Sequence, residues 1–131
     1  MAHQGRPRTC GMRFSVVDAL AIVVAAVGTA LLWPLSPELA ILVPFTLGHF
    51  FLFCNVFRVR RLPELVWAGV FLLNAGAWLL NGSFSWLGVC AVQLPLTAFL
   101  LWRETRMPWY HGVMCRRWNA RHIEAYLRGE I

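Results

Sequence analysis

Three polar side chains interrupt three separate apolar stretches of the chain: His49, Asn74 and Gln93. If each stretch is a helix rising about 1.5 Å per residue, the three fall within about one helical turn of the same level. A polar group that faces lipid is costly, so we expect all three to face inward. They predict either hydrogen bonds that hold the helices in register or a midplane site at which His49 binds a proton or small solute.

Asp18 is the only aspartate of the chain and lies at the beginning of the first apolar stretch. Acids within membrane segments couple proton movement in transporters, so Asp18 is a candidate coupling acid. The alternative is an acid near a helix N-terminus, favoured by the helix dipole and paired with a nearby arginine.

The chain contains no pattern typical of an enzyme or of a cofactor site. We find no Ser/His/Asp set at a common depth, no phosphate-binding glycine loop and no paired carboxylates. We therefore expect no enzymatic activity and no catalytic residues. A bis-histidine haem site needs two histidines inside the membrane, whereas His3, His111 and His122 lie outside the apolar stretches. No cofactor is expected, although haem held by His49 alone stays open.

The four cysteines are Cys10, Cys54, Cys90 and Cys115, and they form no CxxC pair. Cys54 and Cys90 fall within apolar stretches at different depths, and the other two lie in arginine-rich segments. This spacing predicts free thiols rather than a disulfide or a metal site.

Composition indicates the fold class. Of 131 residues, 59% are hydrophobic and 14% are charged, whereas ordinary soluble domains carry about 25% charged residues. The apolar stretches do not alternate with polar residues as the strands of a membrane barrel do. We therefore predict an all-α integral membrane protein with a single membrane domain.

Four stretches are apolar enough to cross a membrane, and we predict transmembrane helices over residues 16–33, 37–57, 64–80 and 84–102. Short turns between them favour an antiparallel up-down bundle. A cleaved signal peptide is the alternative for the first stretch, because residues 28–30 loosely resemble a cleavage site. The apolar stretch continues past that point, which favours a retained helix.

Local patterns predict where helices begin and how they pack. Ser36 followed by Pro37, and Pro63 followed by Glu64, are patterns typical of helix starts. Small residues recur at a spacing of three to four in the first stretch, at positions 21, 25 and 28, and predict close packing of another helix.

Charge predicts the orientation. All twelve basic residues are arginines, and they lie in the N-terminal arm (1–15), the loop (58–62) and the C-terminal tail (103–131). The positive-inside rule then places these segments in the cytoplasm and the protein in a bacterial inner membrane. We expect the arm to be disordered. In the tail we expect a short amphipathic helix from Ala120 to Arg128, capped by Asn119 and stopped by Gly129.

Five arginines are candidate contacts with anionic headgroups or with another membrane protein: Arg58, Arg60, Arg61, Arg116 and Arg117. We do not expect nucleic acid as a partner. Because little of the chain lies outside the bilayer, we expect an accessory or scaffold subunit that acts by helix packing. The alternative is a small homodimeric transporter or channel with a midplane site around His49.

Overall fold

The structure, a computed structural model, describes residues 7–131. The helices are α1 (Val16–Leu32), α2 (Pro37–Phe51), α3 (Arg61–Leu80), α4 (Trp86–Thr105), α5 (Cys115–Trp118) and α6 (Ile123–Arg128). A π-helical turn over Leu52–Val56 continues α2. No β-strand occurs within the described range. His3 and the start of the predicted arm lie outside it.

Three helical segments are long and apolar enough to cross a membrane, namely Pro37–Val56, Arg61–Leu80 and Trp86–Thr105, each of 20 residues. Helix α1 is also apolar but has 17 residues, which gives it a length of about 25 Å. The prediction of a helical chain with several apolar helices is thus confirmed.

Serine residues define three helix starts. Ser15 and Asp18 form a capping box, in which each side chain accepts a hydrogen bond from the other residue's backbone N–H. Ser36 caps α2 with Pro37 in the first turn, as predicted, and Ser85 caps α4 through the Gly88 N–H. Each cap satisfies a backbone donor that the first helical turn leaves free.

Two helices have bounds that differ from the predicted spans. Helix α3 begins at Arg61 rather than at residue 64, which places Pro63 in the first turn, where a missing N–H costs nothing. Helix α4 spans Trp86–Thr105 rather than 84–102. Arg103 extends this helix because a long side chain can carry its charge to the membrane surface while its backbone stays helical.

The helices pack as two hairpins, α1 against α2 and α3 against α4. One apolar core joins the end of α2 to α3 and α4, and it comprises Phe53, Trp67, Phe71, Ala75, Val89 and Leu100. Helix α1 buries none of its residues in this core.

A second, smaller core lies at one end of the helices. It contains Tyr110, Cys115 and Ile123, with Cys10 and Phe57 packed against it. We refer to the segments around it, residues 7–15, 57–60 and 106–131, as the cap. The cap brings the three arginine-bearing segments together at one end of the molecule.

The expectation of a disordered arm was wrong for the described residues. Backbone hydrogen bonds run from Gly11 N to His111 O and from Arg13 N to Asn55 O, each 3.0 Å long. The Arg8 guanidinium donates to the Tyr126 carbonyl at 3.1 Å. These bonds hold the arm on the tail and on the end of α2.

Candidate functional site

His49 lies half-buried on α2, stacked on an aromatic side chain of α3. Its ring centroid is 4.6 Å from that of Trp67, with the planes 19° apart. Its Nδ1 lies 2.9 Å from the Phe45 carbonyl oxygen. Because a carbonyl only accepts, Nδ1 is the donor in this bond.

Asn74 connects the two helices of the second hairpin. Its Nδ2 donates to the Val89 carbonyl at 3.2 Å. A hydrogen bond of this kind between membrane helices contributes about 0.6 kcal/mol on average. A hydrogen bond between helices is one of the two interpretations that the sequence analysis gave for Asn74.

Gln93 has no exposed surface. Neither its side-chain nitrogen nor its side-chain oxygen has a hydrogen-bond partner among the described residues. An unpartnered buried amide costs free energy, so Gln93 is the group at this level with unused bonding capacity.

Two other residues, Trp67 and Thr97, connect His49 to Gln93. The Trp67 ring, on which His49 stacks, donates through Nε1 to Thr97 Oγ1 at 2.9 Å. Thr97 Oγ1 in turn donates to the Gln93 backbone carbonyl at 2.7 Å. No hydrogen bond joins any two of His49, Asn74 and Gln93 within residues 7–131. Trp67 and Thr97 were not predicted as site residues.

Asp18 is held by the helix cap. Its Oδ2 accepts hydrogen bonds from the Ser15 backbone N–H at 2.7 Å and from Ser15 Oγ at 2.8 Å. Asp18 also lines a cavity of about 410 Å³ between α1 and α2, together with Arg13 and Asn55. The sequence analysis gave two interpretations of Asp18, a coupling acid and an acid at a helix N-terminus, and these hydrogen bonds belong to the second.

Two of the predicted surface arginines contact the cap instead of pointing freely outward. Arg58 Nη1 donates to the Thr9 carbonyl at 2.8 Å and to its hydroxyl at 3.1 Å. Arg58 has a positive φ of 50°, and burial lowers the pKa of its guanidinium. The Arg60 guanidinium carbon lies 3.7 Å from the centre of a Trp109 ring, a cation–π contact.

The other three predicted arginines are exposed. Arg61 opens α3. Arg116 forms an ion pair with Glu124 at 3.5 Å between exposed side chains, a contact that contributes little. Arg117 lines a cavity between the tail and the end of α4.

Glu104 is a buried acid that the sequence analysis missed. Its side chain is 5% exposed. Its Oε1 accepts hydrogen bonds from Trp109 Nε1 at 3.0 Å and from the Arg60 backbone N–H at 3.4 Å. It therefore joins α4, the loop before α3 and the tail.

Cys10 and Cys115 form a disulfide, with their Cα atoms 6.2 Å apart. The prediction of free thiols was therefore wrong for this pair, whereas Cys54 and Cys90 are free. Each bonded cysteine lies in an arginine-rich segment, and the charge pattern had already placed both segments on one side. Spacing along the chain carries no sign of such a long-range pair.

Asn119 does not cap the tail helix, contrary to expectation. Its Nδ2 donates to the carbonyls of Pro108 at 2.7 Å and Tyr110 at 2.9 Å, which ties the tail to the segment after α4. Helix α6 begins three residues later than predicted, at Ile123. Gly129 ends it with a φ of 81°, as predicted.

Comparison of the chain with known protein families, with curated proteins and with solved structures finds no match. The functional argument therefore rests on the geometry described above.

Proposed function

We propose that this chain is an accessory or scaffold subunit of a membrane complex, acting by helix packing rather than by catalysis. The observation that carries the proposal is α1. After Asp18 in its first turn this helix is almost entirely apolar, yet none of its residues is buried within the described part of the chain. A helix with this composition, packed mainly against α2, has an apolar face available to a partner.

Two apolar grooves along the contact of α1 with α2 support this proposal. One has a volume of about 600 Å³ and is lined partly by Ala21, Ala25 and Gly28. The other has a volume of about 540 Å³ and is lined partly by Ala26, Pro44 and Gly48. Small side chains let the backbone of a neighbouring helix approach closely. We propose a transmembrane helix of a different protein as the occupant.

Site-specific photo-crosslinking tests the proposal. A photoreactive residue at Ala25 should crosslink to one other protein, and Gly28→Leu should abolish that crosslink. No atom lies within 4 Å of a Cβ added at Gly28, which lines the groove, so a side chain can be introduced at this position. A photoreactive residue at Leu73, which is 77% exposed on α3, is the matched control. Crosslinks that form only between copies of this chain would contradict the proposal.

We propose four spans in an antiparallel up-down bundle, in a bacterial inner membrane with the cap in the cytoplasm. The gathering of the arm, the loop and the tail at one end supports this arrangement. The positive-inside rule assigns the arginine-rich cap to the cytoplasmic side of the membrane. A reporter fused at Ser83, in the turn between α3 and α4, should be periplasmic. Cytoplasmic activity of that reporter would overturn the topology.

The second candidate function is a small homodimeric transporter or channel. The observation that favours it is Gln93, whose amide lies buried without a partner and thus could bind a polar solute. His49→Ala and Gln93→Leu should then abolish flux in liposomes while the protein stays folded. Unchanged flux in both variants would exclude His49 and Gln93 from the path.

A further inference from the structure

A cavity of about 530 Å³ lies where α4 ends and the tail folds back over it. We propose that this cavity binds the phosphate diester of an anionic phospholipid, with the acyl chains running along α4. The proposal rests on the membrane placement proposed above, and it holds for either candidate function.

The cavity has two positively charged groups in its wall, Arg106 and Arg117, and no acidic side chain. Neither arginine has an ion pair or a side-chain hydrogen bond within the described part of the chain, although the Arg106 guanidinium carbon lies 5.3 Å from the centre of the Trp102 ring. By contrast, Arg58 donates a hydrogen bond and Arg116 forms an ion pair. Guanidinium groups bind phosphate oxygens through paired N–H donors. Two guanidinium groups line one cavity, and neither is paired with an acid among the described residues, which favours a phosphate ligand.

Aromatic and aliphatic side chains make up much of the remaining wall: Phe57, Leu101, Trp102 and Trp118. Trp102 is 57% exposed and Trp118 is 45% exposed. Such rings lie at the level of lipid headgroups, where one side is apolar and the other is wet. A soluble phosphate uses only the arginines, whereas a phospholipid also covers this apolar surface.

The position of the cavity fits a lipid. Helix α4 is apolar enough to cross a membrane and ends at Thr105, beside the cavity. Phe99, one turn before Trp102, is 55% exposed and continues the apolar surface toward the hydrocarbon. A headgroup in the cavity thus leaves its acyl chains alongside α4.

The tail wall of the cavity is held in place before any ligand arrives. Trp118 stacks on Phe57, with ring centroids 6.3 Å apart and planes 12° apart. The next residue, Asn119, donates hydrogen bonds to the carbonyls of Pro108 and Tyr110 in the preceding segment. A preorganised site loses less conformational entropy on binding.

Native mass spectrometry of the full chain in detergent, with added phosphatidylglycerol or phosphatidylcholine, tests the proposal. We expect one phosphatidylglycerol retained per chain. The double variant Arg106→Gln, Arg117→Gln should weaken this retention by about tenfold or more, since each arginine near an anionic lipid contributes about 1 kcal/mol. The control variant Arg103→Gln, Arg121→Gln makes the same charge change at exposed positions outside the cavity and should retain lipid as the wild type does.

Three results would overturn the proposal. Equal losses in both double variants would indicate a general charge effect. Equal retention of the two lipids would show no preference for anionic headgroups. Displacement of the lipid by soluble glycerol phosphate at a matched concentration would indicate a water-soluble phosphate ligand. Failure of the membrane placement is separate, because the chain would then leave the membrane fraction on alkaline extraction.

Discussion

Cys10, in the arm before α1, is joined by a disulfide to Cys115, at the start of α5, across a sequence separation of 105 residues. The Cα separation of 6.2 Å lies within the range found for disulfides. Disulfides persist in oxidising compartments, whereas the cytoplasm keeps thiols reduced. The proposed orientation places this pair in the cytoplasm, so the redox state of the pair in the cell reports on the orientation.

We expect Cys10 and Cys115 to be reduced in growing cells and to become oxidised when the protein is extracted in air. Alkylation of intact cells with a membrane-permeant reagent, followed by peptide mass spectrometry, measures both states. Cys90, which is free, serves as the internal standard for labelling. A pair that is already oxidised in cells would contradict a cytoplasmic cap.

Cys10→Ser should destabilise the oxidised protein by about 2–4 kcal/mol, because the disulfide closes a long loop and restricts the unfolded chain. Thermal unfolding in detergent measures the change. Under reducing conditions the wild type and the variant should unfold at similar temperatures. Cys90→Ser is the control, since it removes a thiol without breaking a disulfide. A comparable loss of stability in Cys90→Ser would show that the disulfide is not the cause.

Glu104→Ala should destabilise the cap by about 1–3 kcal/mol, because it leaves the partly buried N–H donors of Trp109 and Arg60 without their acceptor. Glu104→Gln should cost less, since its amide oxygen still accepts a hydrogen bond. Tryptophan fluorescence during unfolding measures the difference. Equal losses for alanine and glutamine would show that the negative charge, not the acceptor, stabilises the cap.

Gly112→Ala should disrupt the contact between the tail and the end of α2. A Cβ at Gly112 would overlap the backbone carbonyl of Phe57, which cannot shift without moving the chain. The loss of stability should exceed the roughly 1 kcal/mol that an alanine costs in a left-handed backbone conformation with open space around it. Gly129→Ala, at a φ of 81° with no neighbour within 4 Å, is that reference. Limited proteolysis of the tail compares the two variants.

Hydropathy was enough to predict the four long helices, and the serine cap at Ser36 predicted the start of α2. Apolar length indicates a helix in lipid regardless of its neighbours, and a cap acts within three residues. Both signals are local, which explains why the start of α2 after Ser36 could be predicted without knowledge of the other helices.

The contacts between segments could not be read from the sequence, because they depend on which segments meet in space. Trp67 illustrates the limit. Its position near a predicted membrane surface suggests an interfacial ring, yet it is 4% exposed and packs between helices. The cap was missed for the same reason, since arm and tail stabilise each other only when folded together. The tertiary roles of Glu104 and Asn119 carry no local signature.

The stability of the cap should fall as the pH decreases through the titration range of His111. Burial is the main cause that lowers the pKa of His111 below its ordinary value of 6.5, and the positive charges of Arg58 and Arg8 add to it. The His111 Nδ1–H donates to the Trp109 carbonyl at 2.9 Å, and its ring stacks on Tyr126. Below pH 6.5 the unfolded chain therefore binds a proton that the folded cap resists, so acid favours unfolding until the folded pKa is reached.

Thermal unfolding in detergent between about pH 8 and pH 5 should show a falling midpoint in the wild type. His111→Phe keeps the stacking and should flatten this dependence, whereas His122→Phe, at an exposed position, should leave the dependence intact. A slope that is unchanged in His111→Phe would assign the pH dependence to another group.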